Sequence, residues 1–161
     1  MKKLLVIGYG RHGKDTVCEM LCKVDDYAFV SSSEFCAMNV VYPTMLDKYE
    51  NWEECYNDRH NHRAHWFNTI KAYNDENPSR LATEILKDYD IYCGLRNIEE
   101  FEGAKHLFDL IIWVERPGFE PEGSDSMTLT RELADIVIFN DGTLGDLYRK
   151  VHNLSKAINK E

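Results

Sequence analysis

The chain is short of positive charge. Its 161 residues carry 19 Lys and Arg against 28 Asp and Glu, a formal net charge of −9. A surface that acidic repels a phosphodiester backbone and an anionic bilayer alike, so neither polymeric nucleic acid nor a membrane is an expected partner. Long apolar runs are also missing. The first, LLVI at 4–7, stops at Gly8, too short for a signal peptide or a membrane span, and the expectation is a soluble, cytoplasmic protein. The five cysteines (Cys18, Cys22, Cys36, Cys55 and Cys93) are odd in number and form no CxxC pair. That argues against a disulfide framework and for reduced thiols used as small apolar residues. A zinc site built from Cys55, His60, His62 and His65 would need a spacing these residues do not have. No internal repeat or low-complexity tract is visible. What remains is a single domain spanning 1–161. With 43% hydrophobic and 29% charged residues it has a globular composition, and a chain this long buries roughly 70% of its extended surface without a metal or a disulfide.

Short apolar runs separated by stretches of helical periodicity point to βα units around a parallel sheet. Candidate strands are 4–9, 91–95, 110–114 and 136–139, with 28–31 a weaker fifth. The expected fold is therefore α/β, a five-stranded parallel sheet with helices on both faces. Helices are expected at 13–24 and 98–106. Two or three more fall within about 35–89, broken at Pro43 and at Asn77-Pro78, with Ser79 a candidate N-cap. The last helix carries Leu144, Leu147, Val151, Leu154 and Ile158 on one stripe, with Thr143 and Asp146 in a capping-box pattern. Residues 116–131, rich in Pro, Gly, Ser and acids, read as a mobile loop.

The strongest motif is GYGRHGKDT, Gly8 to Thr16. It matches the first seven positions of G-x-x-x-x-G-K-[ST], with Gly10, Arg11 and His12 among the free positions, then Gly13 and Lys14. Such a loop turns backbone N–H groups around phosphate oxygens, and the helix that follows aims its N-terminus at the anion. Lys14 would bridge the β- and γ-phosphates. Asp15 occupies the usual hydroxyl position and Thr16 comes one later, so the Mg²⁺-side hydroxyl falls to Thr16, with Asp15 beside the metal or reaching it through water. Asn140-Asp141-Gly142 follows the last strand and would lie beside this loop, either edging the base of a bound nucleotide or serving as a turn alone.

Transfer of a phosphoryl group needs positive charge on both sides of it. Arg96 directly follows the third strand (IYCGLR), at the carboxyl edge where open α/β sheets bind ligands. The alternative for Arg96 is a surface ion pair with Glu99 or Glu100. Arg116 and Arg131 bracket the 116–131 loop, and Arg80 starts a helix. Within DRHNHRAHW, a continuous helix would put Arg59, His62, Arg63 and Trp66 on one face. That face suits a nucleotide's phosphate and base, or is simply solvated with Trp66 in an apolar stripe with Ile70 and Tyr73. Ser33 and Glu34 follow the weak strand and either hold an acceptor or cap the helix beginning near Phe35.

Taken together, GYGRHGKDT, RLATEIL, Gly94-Leu95-Arg96, WVERPG and ADIVIFNDGTLGDLYRKV resemble the phage deoxynucleoside monophosphate kinases, within the adenylate kinase-like group of P-loop kinases. The resemblance implies transfer of the γ-phosphoryl of ATP to a deoxynucleoside monophosphate, with Mg²⁺. Gly13, Lys14 and Thr16 would hold the donor phosphates, and Arg96 with Arg80 the acceptor phosphate. Arg116 or Arg131 would stabilise the group in transit, with 35–89 as the acceptor-binding segment and 116–131 as a lid. The partners implied are small-molecule nucleotides, with a homodimer allowed. Another phosphorylated acceptor, such as dephospho-coenzyme A, or a nucleotide-binding module without catalysis, would use the same loop.

Overall fold

The computed structural model describes residues 1–121 and 127–160. In chain order the regular elements are β1 (Leu4–Ile7), α1 (Lys14–Val24), β2 (Phe29–Ser31) and α2 (Ser32–Cys36). Then come α3 (Trp52–Asn57), α4 (Arg63–Asn74), α5 (Arg80–Asp88) and β3 (Ile91–Cys93). The chain continues through α6 (Ile98–Ala104), β4 (Leu110–Glu115), β5 (Ile136–Phe139) and α7 (Leu144–Ile158). The strands form one sheet in the order β2-β3-β1-β4-β5, with every pairing parallel. Parallel strands need crossovers, and the helices that make them cover both faces.

The period-two alternation of β1 sorts its side chains between two cores. Leu4 and Val6 join Ile91, Cys93, Ile112 and Val114 on the face covered by α1 (Val17, Cys18, Leu21) and α7 (Leu147, Val151, Ile158). Leu5 and Ile7 join Tyr92 and Trp113 on the face covered by α2, α4, α5 and α6, through Phe35, Trp66, Ile85 and Phe101. Because β1 lies between β3 and β4, it is buried along its whole length, which is why its sequence is an unbroken apolar run.

Both ends of the chain follow the sequence closely. Thr143 and Asp146 form a reciprocal capping box on α7, and Leu147, Val151 and Ile158 are buried, although Leu144 at the head of the stripe is 69% exposed. The middle is more fragmented than the sequence implies. After α2 the chain continues as a π-turn at Ala37–Val41 and a 3₁₀ turn at Tyr42–Thr44 with Pro43 inside it. Ser79 precedes α5 but makes no side-chain cap; its N–H and hydroxyl both donate to the Asn77 side-chain oxygen instead. The helix after β2 begins at Ser32, with Ser31 as the cap accepting from the Glu34 amide at 3.2 Å, so capping falls to Ser31 rather than Ser33. No helix among the described residues is long and apolar enough to cross a membrane.

Candidate functional site

β1 delivers the chain to Gly8 at the carboxyl edge of the sheet. Gly8 has φ +150°, and its backbone is packed so closely on the Val114 carbonyl of β4 that a Cβ has no room. The loop closes at Gly13, in the left-handed region at φ +102°, which stands at the N-cap of α1 without any side-chain cap. The first backbone bond of α1 is Val17 N–H to Gly13 O, 3.0 Å. The amides of Lys14, Asp15 and Thr16 therefore have no helical acceptor, and the positive end of the helix dipole faces open space. Those three residues line a cleft of about 1760 Å³ across the carboxyl ends of the strands.

Lys14 is half-buried, and its ammonium donates to the carbonyls of Gly8 (2.7 Å) and Tyr9 (3.1 Å). Burial lowers its pKa, and the nearby charge of Arg96 adds to the depression while Cys93 and Asp15 oppose it. Two cations thus approach each other in a partly desolvated place, an arrangement relieved by an anion between them. Arg96 follows β3 through the Gly94 turn and lines the same cleft. Its guanidinium makes no hydrogen bond or ion pair with any described residue, so the expected alternative of pairing with Glu99 or Glu100 is not what holds it. Its backbone carbonyl accepts from the Thr128 amide, 2.9 Å. Charge is redistributed strongly here. Seven Lys or Arg residues line the cleft against four Asp or Glu, in a chain whose net charge is −9.

Of the loop residues, Gly10, Arg11, Gly13, Lys14, Asp15 and Thr16 line the cleft. Arg11 adopts φ +65°. His12 instead turns inward and is 2% exposed. Its Nδ1 accepts the Arg116 amide at 2.8 Å, which ties the loop to the end of β4. Burial first, then Lys14, lowers the His12 pKa and favours the neutral ring that this bond requires. The Asp15 carboxylate accepts from the Cys93 thiol, 3.4 Å. Asn140 lines the cleft and donates to the His12 carbonyl, 3.2 Å, bracing the loop from the β5 end. Asp141 points elsewhere, paired with Lys150 at 2.8 Å.

The remaining arginines divide. Arg59, Arg63 and Arg116 line the cleft, the last with its guanidinium 3.7 Å from the Phe119 ring centroid. Arg80 does not: it stacks on Tyr73 at 3.8 Å and donates to the Tyr73 carbonyl. Arg131 is paired with Glu115 at 2.8 Å, outside the cleft lining. The single helical face expected for Arg59, His62, Arg63 and Trp66 is not formed. Residues Arg59–Asn61 make a 3₁₀ turn, and α4 starts only at Arg63. Arg59 is drawn back onto the Tyr56 ring and carbonyl, and His62 contacts Asp58. Trp66 belongs to the apolar core and also borders the cleft. Ser33 borders the cleft and Glu34 does not.

Within the 116–131 segment, 122–126 lie outside the described residues. On its far side Leu129 is 2% exposed in the core, and the Thr128 hydroxyl accepts the Ile98 amide at 2.8 Å. That side is anchored rather than loose. Among the described residues there is no group of three or more His, Cys, Asp or Glu able to hold a metal. The zinc arrangement is not formed: Cys55 is buried, His62 meets Asp58 and Lys48, and His65 meets Thr44.

One cleft residue was legible only as an ion-pair partner. Asn97-x-x-Glu100 has the spacing of a capping box, and Asn97 does cap α6 by accepting the Glu99 and Glu100 amides. The Glu100 carboxyl, however, accepts a hydrogen bond from the buried Tyr92 hydroxyl at 2.6 Å. Burial pushes its pKa up to about 7, opposed by that bond. Its position four residues after Arg96 suggests an ion pair and gives no signal of this burial. No protein-family model matches the chain, and no curated protein matches it.

Proposed function

We propose that this chain is an ATP-dependent deoxynucleoside monophosphate kinase, a P-loop enzyme of the nucleoside monophosphate kinase type. It would move the γ-phosphoryl group of ATP to the phosphate of the acceptor, giving ADP and the diphosphate. One observation carries the reading: the N-terminus of α1, which has no side-chain cap, Lys14, and Arg96, whose guanidinium has no partner among the described residues, border one cleft. The order β2-β3-β1-β4-β5 supports it by placing the ends of β1 and β3 side by side, so that two phosphate-binding elements adjoin.

In this reading the amides of 13–16 and Lys14 hold the β- and γ-phosphates. Lys14 leaves its carbonyl partners on Gly8 and Tyr9 for the phosphate oxygens. Arg96 fixes the acceptor phosphate in line with the γ-phosphorus, with Arg59 and Arg63 on the far wall, and Arg116 neutralises charge as it spreads over the transferred group. The acceptor phosphate is already an anion, so no protein nucleophile or general base is needed. Catalysis is positioning and charge stabilisation. A Mg²⁺ ion held through substrate phosphates needs only one or two protein oxygens. The Thr16 hydroxyl and the Asp15 carboxylate at the cleft wall provide that donor set. The ion would supply further neutralisation of phosphate charge.

The test is ADP production with ATP and Mg²⁺ against a panel of dTMP, dGMP, dCMP and dAMP. The expected result is acceptor-dependent ADP release with an equal amount of deoxynucleoside diphosphate. Stimulation only by another phosphorylated acceptor would move the assignment to a different P-loop kinase. Tight ATP binding with no acceptor dependence would make the chain a nucleotide-binding module.

A further inference from the structure

We infer that Glu100 reads the ring-nitrogen edge of the acceptor base, and that its two protonation states select different bases. The inference rests on the kinase reading above and deepens it. The carboxyl borders the cleft on the first turn of α6. Its Oε1 accepts from Tyr92 at 2.6 Å, and its Oε2 has no partner among the described residues. Tyr92 is 1% exposed, and donating to Oε1 is what satisfies its buried hydroxyl proton. It therefore pins Oε1 as the accepting oxygen whether or not Glu100 is protonated, and any proton sits on Oε2, the oxygen left for a ligand. An ionised Oε2 accepts, and fits a base with a ring N–H, as in guanine or thymine. A protonated Oε2 donates, and fits a base with a bare ring nitrogen, as in adenine or cytosine. A buried polar group that meets the wrong edge leaves both partners unpaired, which is the strongest means of discrimination a pocket has.

The groups around Glu100 permit this switching. Tyr92 faces it from β3. The Cys36 thiol is close by on α2, its own pKa pushed up by burial and by Glu100. The cations Arg63 and Lys71 on α4 and Arg96 before α6 line the same cleft, but none of them is among the groups that move its titration. Burial without a cationic partner brings the carboxyl's titration to about pH 7, inside the range where the enzyme can be assayed.

The experiment measures kcat/KM for dGMP, dTMP, dAMP and dCMP between about pH 6 and 8, for the native enzyme and for Glu100→Gln. The second ionisation of the acceptor phosphate is common to all four and cancels in their ratios. In the native enzyme the ratio of dGMP or dTMP to dAMP or dCMP should rise by up to about a hundredfold across that range, as the ratio of ionised to protonated carboxyl does, and in Glu100→Gln it should be flat. Thermal melting of the variant checks that it is folded, and Tyr92→Phe, which frees Oε1, should blunt the pH dependence without abolishing turnover. A ratio that does not change with pH in the native enzyme, or that still changes in Glu100→Gln, overturns the role of Glu100 while leaving the kinase assignment standing. No turnover with any of the four acceptors overturns both.

Discussion

Replacing Lys14 with Met separates function from stability at one residue. In the folded chain the ammonium makes two hydrogen bonds to carbonyls, at 2.7 and 3.1 Å, each worth about 1.5–3 kcal/mol as a bond to a charged group. Against them stand the burial of the ammonium and its repulsion by Arg96, which together lower its pKa. A lysine with a depressed folded pKa costs stability while it is charged, and the cost is relieved only as pH rises through that pKa. Met removes the two bonds together with the cost of burying the charge, so without nucleotide Lys14→Met should melt within about 3 °C of the native protein. With nucleotide the two should part. At a hundredfold excess of ATP over its Kd the native protein gains about 2.7 kcal/mol, a rise in Tm of roughly 5–10 °C for a domain of this size. The variant should lose most of that rise, and its turnover should fall by at least ~10²-fold. Differential scanning fluorimetry with and without Mg²⁺-ATP, beside a coupled ADP assay, reads both quantities. A variant that keeps its ATP-induced rise and its turnover would refute the reading of the loop. One that melts many degrees low without ligand would show that Lys14 is a structural residue.

Arg96→Ala should chiefly raise the acceptor KM and Arg116→Ala chiefly lower kcat, because on the proposed reading one would hold a ground-state phosphate and the other would meet charge developing in transit; identical effects in steady-state kinetics would sink that division. Arg131→Ala should change both little, its guanidinium being held by Glu115 outside the cleft. Gly13→Ala should destabilise by about 1–3 kcal/mol and abolish the ATP-induced rise in Tm, since φ is +102° and the new Cβ would meet Asn140 Nδ2 at 2.7 Å; chemical denaturation measures the first and fluorimetry the second. Glu100 has its folded pKa raised from 4.5 to about 7, so the folded state holds its proton more tightly and stability falls as pH rises through that interval. Glu100→Gln should remove a loss on the order of 3 kcal/mol, seen in urea melts at about pH 5 and 8 as a smaller difference than the native protein shows.

The sheet was legible because each strand is a short apolar run bounded by turn residues. Even the weak candidate at 28–31 forms, as the edge strand β2, where one neighbour is enough and the apolar run can be short. The loop was legible because its glycines are required by backbone geometry: Gly8 by the contact with Val114 and Gly13 by its left-handed turn. The 35–77 region was not, and the reason is local competition. Arg59 is satisfied by Tyr56 and His62 by Asp58, which breaks the helical face that spacing alone draws through them. Which arginines reach the cleft was equally hidden. Arg80 and Arg131 look like Arg59 and Arg116 in sequence, but Tyr73 and Glu115 hold them elsewhere. Glu100 was read as a partner for Arg96 because its burial depends on Tyr92, eight residues away on a strand, and on α2 across the cleft.

An acidic chain builds a cationic cleft by way of its topology. In a parallel sheet every strand ends on the same edge, so five connections far apart in sequence meet there: 8–16 after β1, 31–33 after β2, 94–97 after β3, Arg116 after β4 and Asn140 after β5. No one of these segments is strongly basic, which is why charge patterning along the chain does not reveal the site. Their convergence brings Arg11, Lys14, Arg96 and Arg116 to one space, and Arg59, Arg63 and Lys71 complete its seven Lys and Arg residues against four Asp or Glu. The other described Asp and Glu residues lie outside the cleft lining. Low-dielectric walls focus the inner field onto whatever enters the cleft. On the proposed reading, a small phosphate-bearing ligand inside would meet a lining in which cations outnumber acids, whereas a polymer would lie across a surface of a chain whose net charge is −9. On that reading, selection between nucleotides and nucleic acids would follow from where the sheet places its charges, before any side chain reads a base.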